Sequence, residues 1–143
     1  MGFPSNPEDT NLEGLRVLVV EDDDDARYFL TLVLSQFGAV VKGAGSASEA
    51  MEILSAFKPD VLVSDIGMPF ENGYSLIRRI RGLKPEQGSR TPAVAVTAFV
   101  TPDDRARALN AGFQVHVSKP IHPEELARIV ASLAGRHDEA AAA

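Results

Sequence analysis

The sequence contains no cysteine and no tryptophan, and its charge is acidic rather than basic. Without cysteine, the chain cannot form disulfides, thiolate metal sites or a cysteine nucleophile. The formal net charge of −6 leaves no basic stripe of the kind that binds nucleic acid. No apolar run approaches the roughly 20 residues of a membrane span. These absences predict a soluble, cytoplasmic domain that contacts neither nucleic acid nor membrane directly.

The chain has the length of one ordinary domain, and its sequence divides into three parts. With 143 residues it can bury a core without disulfides or metals. Residues 1–14 are polar and show no apolar period, which predicts a flexible leader or linker. Residues 15–135 carry the folding pattern, and residues 136–143, which end in four alanines, form a tail.

Short apolar runs alternate with helical patterns along residues 15–135. Unbroken, valine-rich runs at 17–20, 61–63 and 93–96 are typical of strands buried on both faces, and 39–41 and 115–117 are weaker versions. Apolar residues spaced by three and four predict a helix after each run. These helices are marked by Phe29, Leu30, Val33 and Leu34; by Ala50, Leu54 and Phe57; by Leu76, Ile77 and Ile80; by Ala106 and Leu109; and by Leu126, Ile129, Val130 and Leu133. The alternation predicts an open, parallel α/β sheet with helices on both faces.

Polar side chains stand where the predicted strands end. Glu21 and Asp22 follow the first run, Asp65 the third, Thr97 the fourth and Lys119 the fifth. Ligands of open α/β sheets bind at the carboxyl ends of the strands. We therefore expect these side chains to converge at one edge of the sheet.

These residue types together suit phosphoryl transfer. Clustered carboxylates repel one another unless a cation lies between them, and oxygen ligands alone favour a hard cation such as Mg²⁺. A lysine supplies a point charge for a phosphate, and an aspartate can act as a nucleophile that forms an acyl phosphate. The set predicts Mg²⁺-dependent chemistry that consists mostly of positioning and charge neutralisation.

Four segments resemble the motifs of the response-regulator receiver family. They are residues 17–23 (VLVVEDD), 64–69 (SDIGMP), 96–98 (VTA) and 118–120 (SKP), in family order, and the similarity covers about residues 15–135. The resemblance implies a flavodoxin-like (βα)5 fold, a doubly wound sheet of five parallel strands in the order 2-1-3-4-5. It also implies a cis peptide bond between Lys119 and Pro120.

The resemblance assigns a role to each site residue. Asp65 would be the phosphoacceptor, assisted by Thr97 and Lys119. Mg²⁺ would be held by Asp22, Asp65 and the backbone carbonyl of Gly67, with Glu21 acting through water. Thr97 and His116 would form the conformational switch, and Gly73 would provide the bend before the third helix. Gly67 and Phe99, beside the path of attacking water, imply slow to moderate self-dephosphorylation.

The resemblance also implies a signalling module rather than a conventional enzyme. Its phosphodonor would be a histidine kinase or a histidine phosphotransfer domain, and it would regulate an unknown downstream protein. We expect a monomer or a weak, phosphorylation-dependent dimer. The long link at residues 82–92 and the segment 110–116 are similar to receivers of hybrid histidine kinases, although a stand-alone regulator is the alternative.

Several readings of these residues remain open at the sequence level. The acidic pair could be displaced by one, which would make Asp23 a metal ligand. Asp24 and Asp25 suit the solvated first turn of a helix, where Asp24 could also be the N-cap. An EF-hand is disfavoured because the loop lacks its glycine at position six and its glutamate at position twelve.

Two rival functions remain as well. A haloacid-dehalogenase-type phosphatase also uses an aspartate nucleophile with Mg²⁺, but that family expects a second aspartate where this chain has Gly67. A phosphorylation-independent, receiver-like interaction module usually lacks the acceptor, the acids or the lysine, and this chain keeps all of them.

Overall fold

A computed structural model describes residues 10–98 and 101–136 of the chain. Five strands alternate with five helices along these residues, as the sequence pattern predicts. The elements are β1 (Arg16–Val20), α1 (Asp24–Gln36), β2 (Val40–Ala44), α2 (Ala47–Phe57), β3 (Val61–Asp65), α3 (Gly73–Arg81), β4 (Ala93–Thr97), α4 (Pro102–Ala111), β5 (Val115–Ser118) and α5 (Pro123–Leu133). A short 3-10 helix at Pro85–Gln87 lies in the link before β4.

The strands form one parallel sheet in the order β2-β1-β3-β4-β5. The expected doubly wound, flavodoxin-like topology is therefore confirmed. β3 and β4 lie in the middle of the sheet and are buried at every residue, whereas β2 and β5 form the edges. The first and third strands are neighbours, with Val17 in register with Val61, so their carboxyl ends emerge side by side.

Helices cover both faces of the sheet and enclose two separate cores. Alternate residues of a strand point to opposite faces. In β1, Val17 and Val19 accordingly pack with α1 and α5, whereas Leu18 and Val20 pack with α2, α3 and α4. Burial on both faces explains why the central strands read as unbroken apolar runs.

Four helices begin at a side-chain cap. Asp23 accepts a hydrogen bond from the Ala26 amide at 2.8 Å and is the N-cap of α1. Asp24, which the sequence offered as a cap, instead lies in the first turn and pairs with Arg27 at 2.6 Å. Ser46, Asn72 and Thr101 cap the other three helices. A cap fixes where the helix starts, and the loop between β1 and α1 comprises only residues 21–23.

Three residues differ from the burial that their sequence pattern indicates. Phe29 and Leu109 are 44% and 46% exposed, because α1 buries Leu30 on its inner face and α4 packs through small alanines. Leu12, within the expected leader, is fully buried, and its amide donates to the Phe37 carbonyl at 2.8 Å. The packed core thus includes a residue from the segment before β1. No helix of the described ranges is long and apolar enough to cross a membrane.

Candidate functional site

The carboxyl ends of β1 and β3 bring three carboxylates together. Glu21 and Asp22 directly follow β1, and Asp65 is the last residue of β3. Oxygen atoms from these three side chains lie within 4.8 Å of one another. Asp22 is exposed, whereas Glu21 and Asp65 are buried. The cluster is therefore shielded from solvent at Glu21 and Asp65 and open to solvent at Asp22.

Lys119 reaches this cluster from the far side of the sheet. It follows β5, and its peptide bond to Pro120 is cis, as expected. Its Nζ lies 3.2 Å from Glu21 Oε1 and 3.6 Å from Asp65 Oδ1. The side chain therefore spans β4 and β3 and touches both buried acids, with the closer contact to Glu21.

The electrostatics of the site are those of a buried and incompletely neutralised acidic cluster. Glu21 is 2% exposed, and this burial raises its pKa despite hydrogen bonds from the Asp23 amide and from Lys119. Burial alone would lower the pKa of Lys119, but the adjacent Asp65 and Glu21 carboxylates outweigh it, so its pKa is raised. One ammonium group faces three carboxylates, which leaves excess negative charge at the site.

The donor atoms fit a hard divalent cation. The cluster offers carboxylate oxygens and no sulfur or imidazole, and Asp22 presents its group on the open side. Mg²⁺ typically takes one or two carboxylates and keeps several waters, which suits a half-open cluster. Gly67, two residues after Asp65 in the chain, is exposed.

Thr97 and His116 lie on the neighbouring strands β4 and β5. Thr97 ends β4 in register with Ser118 and is 1% exposed, and its carbonyl accepts the Lys119 amide hydrogen at 2.9 Å. His116 lines a groove of about 480 Å³ between α4 and β5, together with Arg105, Leu109 and others. Within residues 10–98 and 101–136, its buried Nε2 has no hydrogen-bond partner. Phe99 lies outside the described residues.

The raised pKa of Glu21 predicts how the stability of the metal-free protein depends on pH. The folded state holds this proton more tightly than the unfolded chain, in which the ordinary pKa is 4.5. The free energy of unfolding should therefore fall as pH rises from 4.5 through the raised pKa of Glu21. Glu21→Gln removes this titration and should flatten the curve over that range. Urea denaturation in EDTA across a pH series measures both proteins, and parallel curves would contradict the expectation.

Sequence reasoning missed two contacts that shape the site. Asp23 is a helix cap whose amide binds Glu21 Oε2 at 3.1 Å, so it supports the acidic pair from beside it. Arg27 donates from Nη1 to the Glu21 carbonyl at 2.8 Å. The sequence signal that could have pointed to Arg27 is the pair of glycines, Gly43 and Gly45, in the region of the second strand. Their significance is clear only once the structure shows the Arg27 side chain packed against them.

Comparisons with known proteins agree with this geometry. A family model described as the response regulator receiver domain matches residues 17–131. An uncharacterized 14.6 kDa protein of Leptolyngbya boryana is 42% identical over 119 residues, covering 83% of this chain and 89% of the relative. Hybrid signal transduction histidine kinase D of Dictyostelium discoideum is 31% identical over 140 residues, covering 94% of this chain and 9% of the kinase. The match to probable histidine kinase 2 of rice likewise spans 13% of that protein.

Solved structures share the fold over nearly their whole length. A putative response regulator from Chloroflexus aurantiacus superposes with a TM-score of 0.80 at 30% identity, covering 87% of this chain and all of that one (100%). The receiver domain of a sensor histidine kinase from Pseudomonas aeruginosa gives a TM-score of 0.77 at 30% identity, covering 85% and 98%. That structure holds a magnesium ion coordinated in its active-site cleft.

Proposed function

Because this chain belongs to the response-regulator receiver family of two-component signalling, we propose that it accepts a phosphoryl group on Asp65 and signals by a change of shape. The donor is a histidine kinase or a histidine phosphotransfer domain. Family members are signalling modules rather than conventional enzymes. One observation carries the proposal: the carboxylates of Glu21, Asp22 and Asp65 and the Lys119 ammonium group meet at one edge of the sheet.

The transfer step uses Asp65 as the nucleophile. A carboxylate oxygen of Asp65 attacks the phosphorus, the bond from phosphorus to the histidine nitrogen breaks, and the imidazole leaves and takes a proton from water. The Asp65 carboxylate is oriented by the Ile66 amide, which donates to Oδ1 at 2.9 Å. Lys119 is already within 3.6 Å of that oxygen, so it stands beside the phosphoryl group as it forms.

The proposed metal set is Asp22, Asp65 and the Gly67 carbonyl, with Glu21 acting through water. Mg²⁺ bound there would offset the negative charge of the phosphoryl oxygens. Glu21 holds the Lys119 ammonium group near the site, and Thr97 donates its hydroxyl to a phosphoryl oxygen. The magnesium ion in the Pseudomonas aeruginosa receiver supports this assignment by similarity.

Labelling with acetyl phosphate tests the proposal directly. We expect the protein to gain one phosphoryl group in Mg²⁺ and none in EDTA, and peptide mass spectrometry should locate it on Asp65. Absence of labelling in Mg²⁺ would favour the phosphorylation-independent interaction module. Continuous release of phosphate from a small phosphoester, without a stable phosphoprotein, would favour the phosphatase.

We further expect the face formed by α4, β5 and α5 to change when the site is loaded. Thr97 moves toward the phosphoryl group, and His116 responds from β5, where its Nε2 has no hydrogen-bond partner among the described residues and the adjoining groove leaves room for rearrangement. Amide hydrogen exchange with and without beryllofluoride, a phosphoryl mimic, should differ over these elements. Asp65→Asn treated in the same way is the control, and unchanged exchange over α4 and β5 would refute the switch.

The donor surface is proposed to include α1. Tyr28, Phe29 and Leu32 are 69%, 44% and 42% exposed, and they form an apolar stripe on the helix that follows the acidic loop. A donor must approach Asp65 past this loop, so the stripe lies where such a partner would bury apolar surface. The matches to histidine kinases support a hybrid-kinase origin for this chain as part of the same proposal.

A further inference from the structure

The side chain of Arg27 joins the acidic loop to the first turn of α1 and lies against the end of β2. From the first turns of α1, its Nη1 donates to the backbone carbonyl of Glu21 at 2.8 Å. Its Nη2 binds Asp24 Oδ1 at 2.6 Å, so its charge is paired with an acid that is not a proposed metal ligand. The side chain is 27% exposed, which is low for an arginine near a helix N-terminus.

Two glycines make room for this side chain. A Cβ atom at Gly43 would lie 3.2 Å from Arg27 Cδ, and one at Gly45 would lie 3.2 Å from Arg27 Nη1. Neither glycine has a positive φ, so backbone freedom does not explain them. The absence of side chains at both positions instead leaves space for the Arg27 side chain against the end of β2.

The bonded carbonyl belongs to the peptide unit that joins Glu21 to Asp22. That unit is planar and rigid, so holding its oxygen restrains the position of the Asp22 Cα atom, from which the carboxylate extends. Asp22 is exposed and makes no side-chain hydrogen bond or ion pair with any residue in the described ranges. Within those ranges its carboxylate is therefore restrained only through the backbone that carries it.

We propose that Arg27 is a positioning residue that aims the Asp22 carboxylate at the cation by holding the Glu21–Asp22 peptide. This inference rests on the proposed Mg²⁺ site and adds a residue that does not touch the metal. A purely electrostatic role predicts the opposite sign, since removal of a positive charge near an acidic cluster strengthens cation binding. The direction in which Mg²⁺ affinity changes when Arg27 is removed therefore distinguishes a positioning role from a purely electrostatic one.

Mg²⁺ binding to the intact chain, followed by calorimetry or amide NMR without any phosphodonor, provides the measurement. We expect Arg27→Ala to weaken Mg²⁺ binding by about 10-fold, in the range seen when groups that orient a metal ligand are removed. Arg27→Lys should recover part of this loss. Labelling by acetyl phosphate should need correspondingly more Mg²⁺ but reach nearly the wild-type rate at saturation.

A second variant and a matched control separate positioning from loss of stability. Gly45→Ala keeps the guanidinium group but displaces it, and should weaken Mg²⁺ binding in the same direction by a smaller factor. Arg16→Ala removes an arginine that also donates to a backbone carbonyl, that of Phe57 at 2.6 Å, at the opposite end of β1. It should leave Mg²⁺ binding unchanged.

Unchanged or tighter Mg²⁺ binding in Arg27→Ala, or equal weakening in Arg16→Ala, would overturn the inference. These results are distinct from failure of the proposed function, in which the wild-type protein itself would bind no Mg²⁺. Chemical denaturation of each variant checks that the comparison is made between folded proteins.

Discussion

Replacement of Asp22 by alanine is expected to abolish labelling of the protein by acetyl phosphate in Mg²⁺. Asp22 is the exposed member of the carboxylate cluster and the proposed direct ligand of the cation. Without it, the charge of the phosphoryl oxygens meets two buried acids with too little compensation. Because Asp22 lies on the surface and makes no side-chain hydrogen bond or ion pair in the described ranges, the fold should stay intact. Loss of its repulsion with Glu21 and Asp65 should leave the free energy of unfolding of the metal-free protein unchanged or slightly higher.

Neighbouring acids provide matched controls for this result. Asp25→Ala removes an exposed acid from the first turn of α1 and should leave labelling unchanged. Asp23→Ala decides whether the metal pair is displaced by one residue. As a helix cap it should cost about 1 kcal/mol of stability while labelling persists. Normal labelling of Asp22→Ala together with loss in Asp23→Ala would move the ligand to Asp23.

Replacement of Gly73 by alanine should strongly destabilise the fold and disturb the acceptor. A Cβ atom at Gly73 would lie 2.5 Å from the carbonyl oxygen of Asp65 and 2.9 Å from the Cα of Ile66. Both are backbone atoms of the segment that carries the phosphoacceptor, so neither can move without shifting the end of β3. We expect a loss of about 3 kcal/mol in the free energy of unfolding and slower labelling of Asp65.

Gly82→Ala is the control at the other end of the same helix. Gly82 has ordinary helical φ and ψ angles of −83° and −5°, and an added Cβ atom would lie 3.6 Å from the nearest carbonyl oxygens, a normal contact. This change should be neutral or slightly stabilising, by about 0.5 kcal/mol. Guanidinium denaturation compares the two variants, and similar midpoints would show that close packing at Gly73 is not what requires glycine.

The sequence correctly predicts that Gly73 is required, but the reason it suggests is incomplete. The sequence marks it as the bend before the third helix. In the structure its φ is not positive, and its amide donates to the Ile66 carbonyl at 2.8 Å. Glycine is required at this position because a side chain would collide with the backbone at the end of β3. A sequence pattern identifies glycine at a turn, but the distance between two backbone segments depends on how they pack.

The central strands were predictable because burial on both faces leaves an unbroken apolar run. The edge strand β2 was harder to delimit. It continues from Val40 through Lys42 and Gly43 to Ala44, with Val40 49% exposed, so polar and small residues interrupt its apolar pattern. The exposed faces of Phe29 and Leu109 were not predictable for a related reason: helical spacing shows which residues share a face but not how much of that face is covered.

By itself, the sequence determined the strand and helix alternation and the edge of the sheet where Glu21, Asp65 and Lys119 stand. Those features follow from local patterns, since a polar residue that directly follows a buried apolar run lies at the carboxyl end of that strand. Only the tertiary structure decided that Lys119 lies closer to Glu21 than to Asp65, that Asp23 caps α1, and that Arg27 holds the acidic loop. The Lys119 contacts depend on the order and register of strands distant in sequence, which local patterns do not encode. The Asp23 and Arg27 contacts join residues three and six apart, but a run of consecutive acids does not show which of them caps the helix or which carbonyl accepts the hydrogen bond.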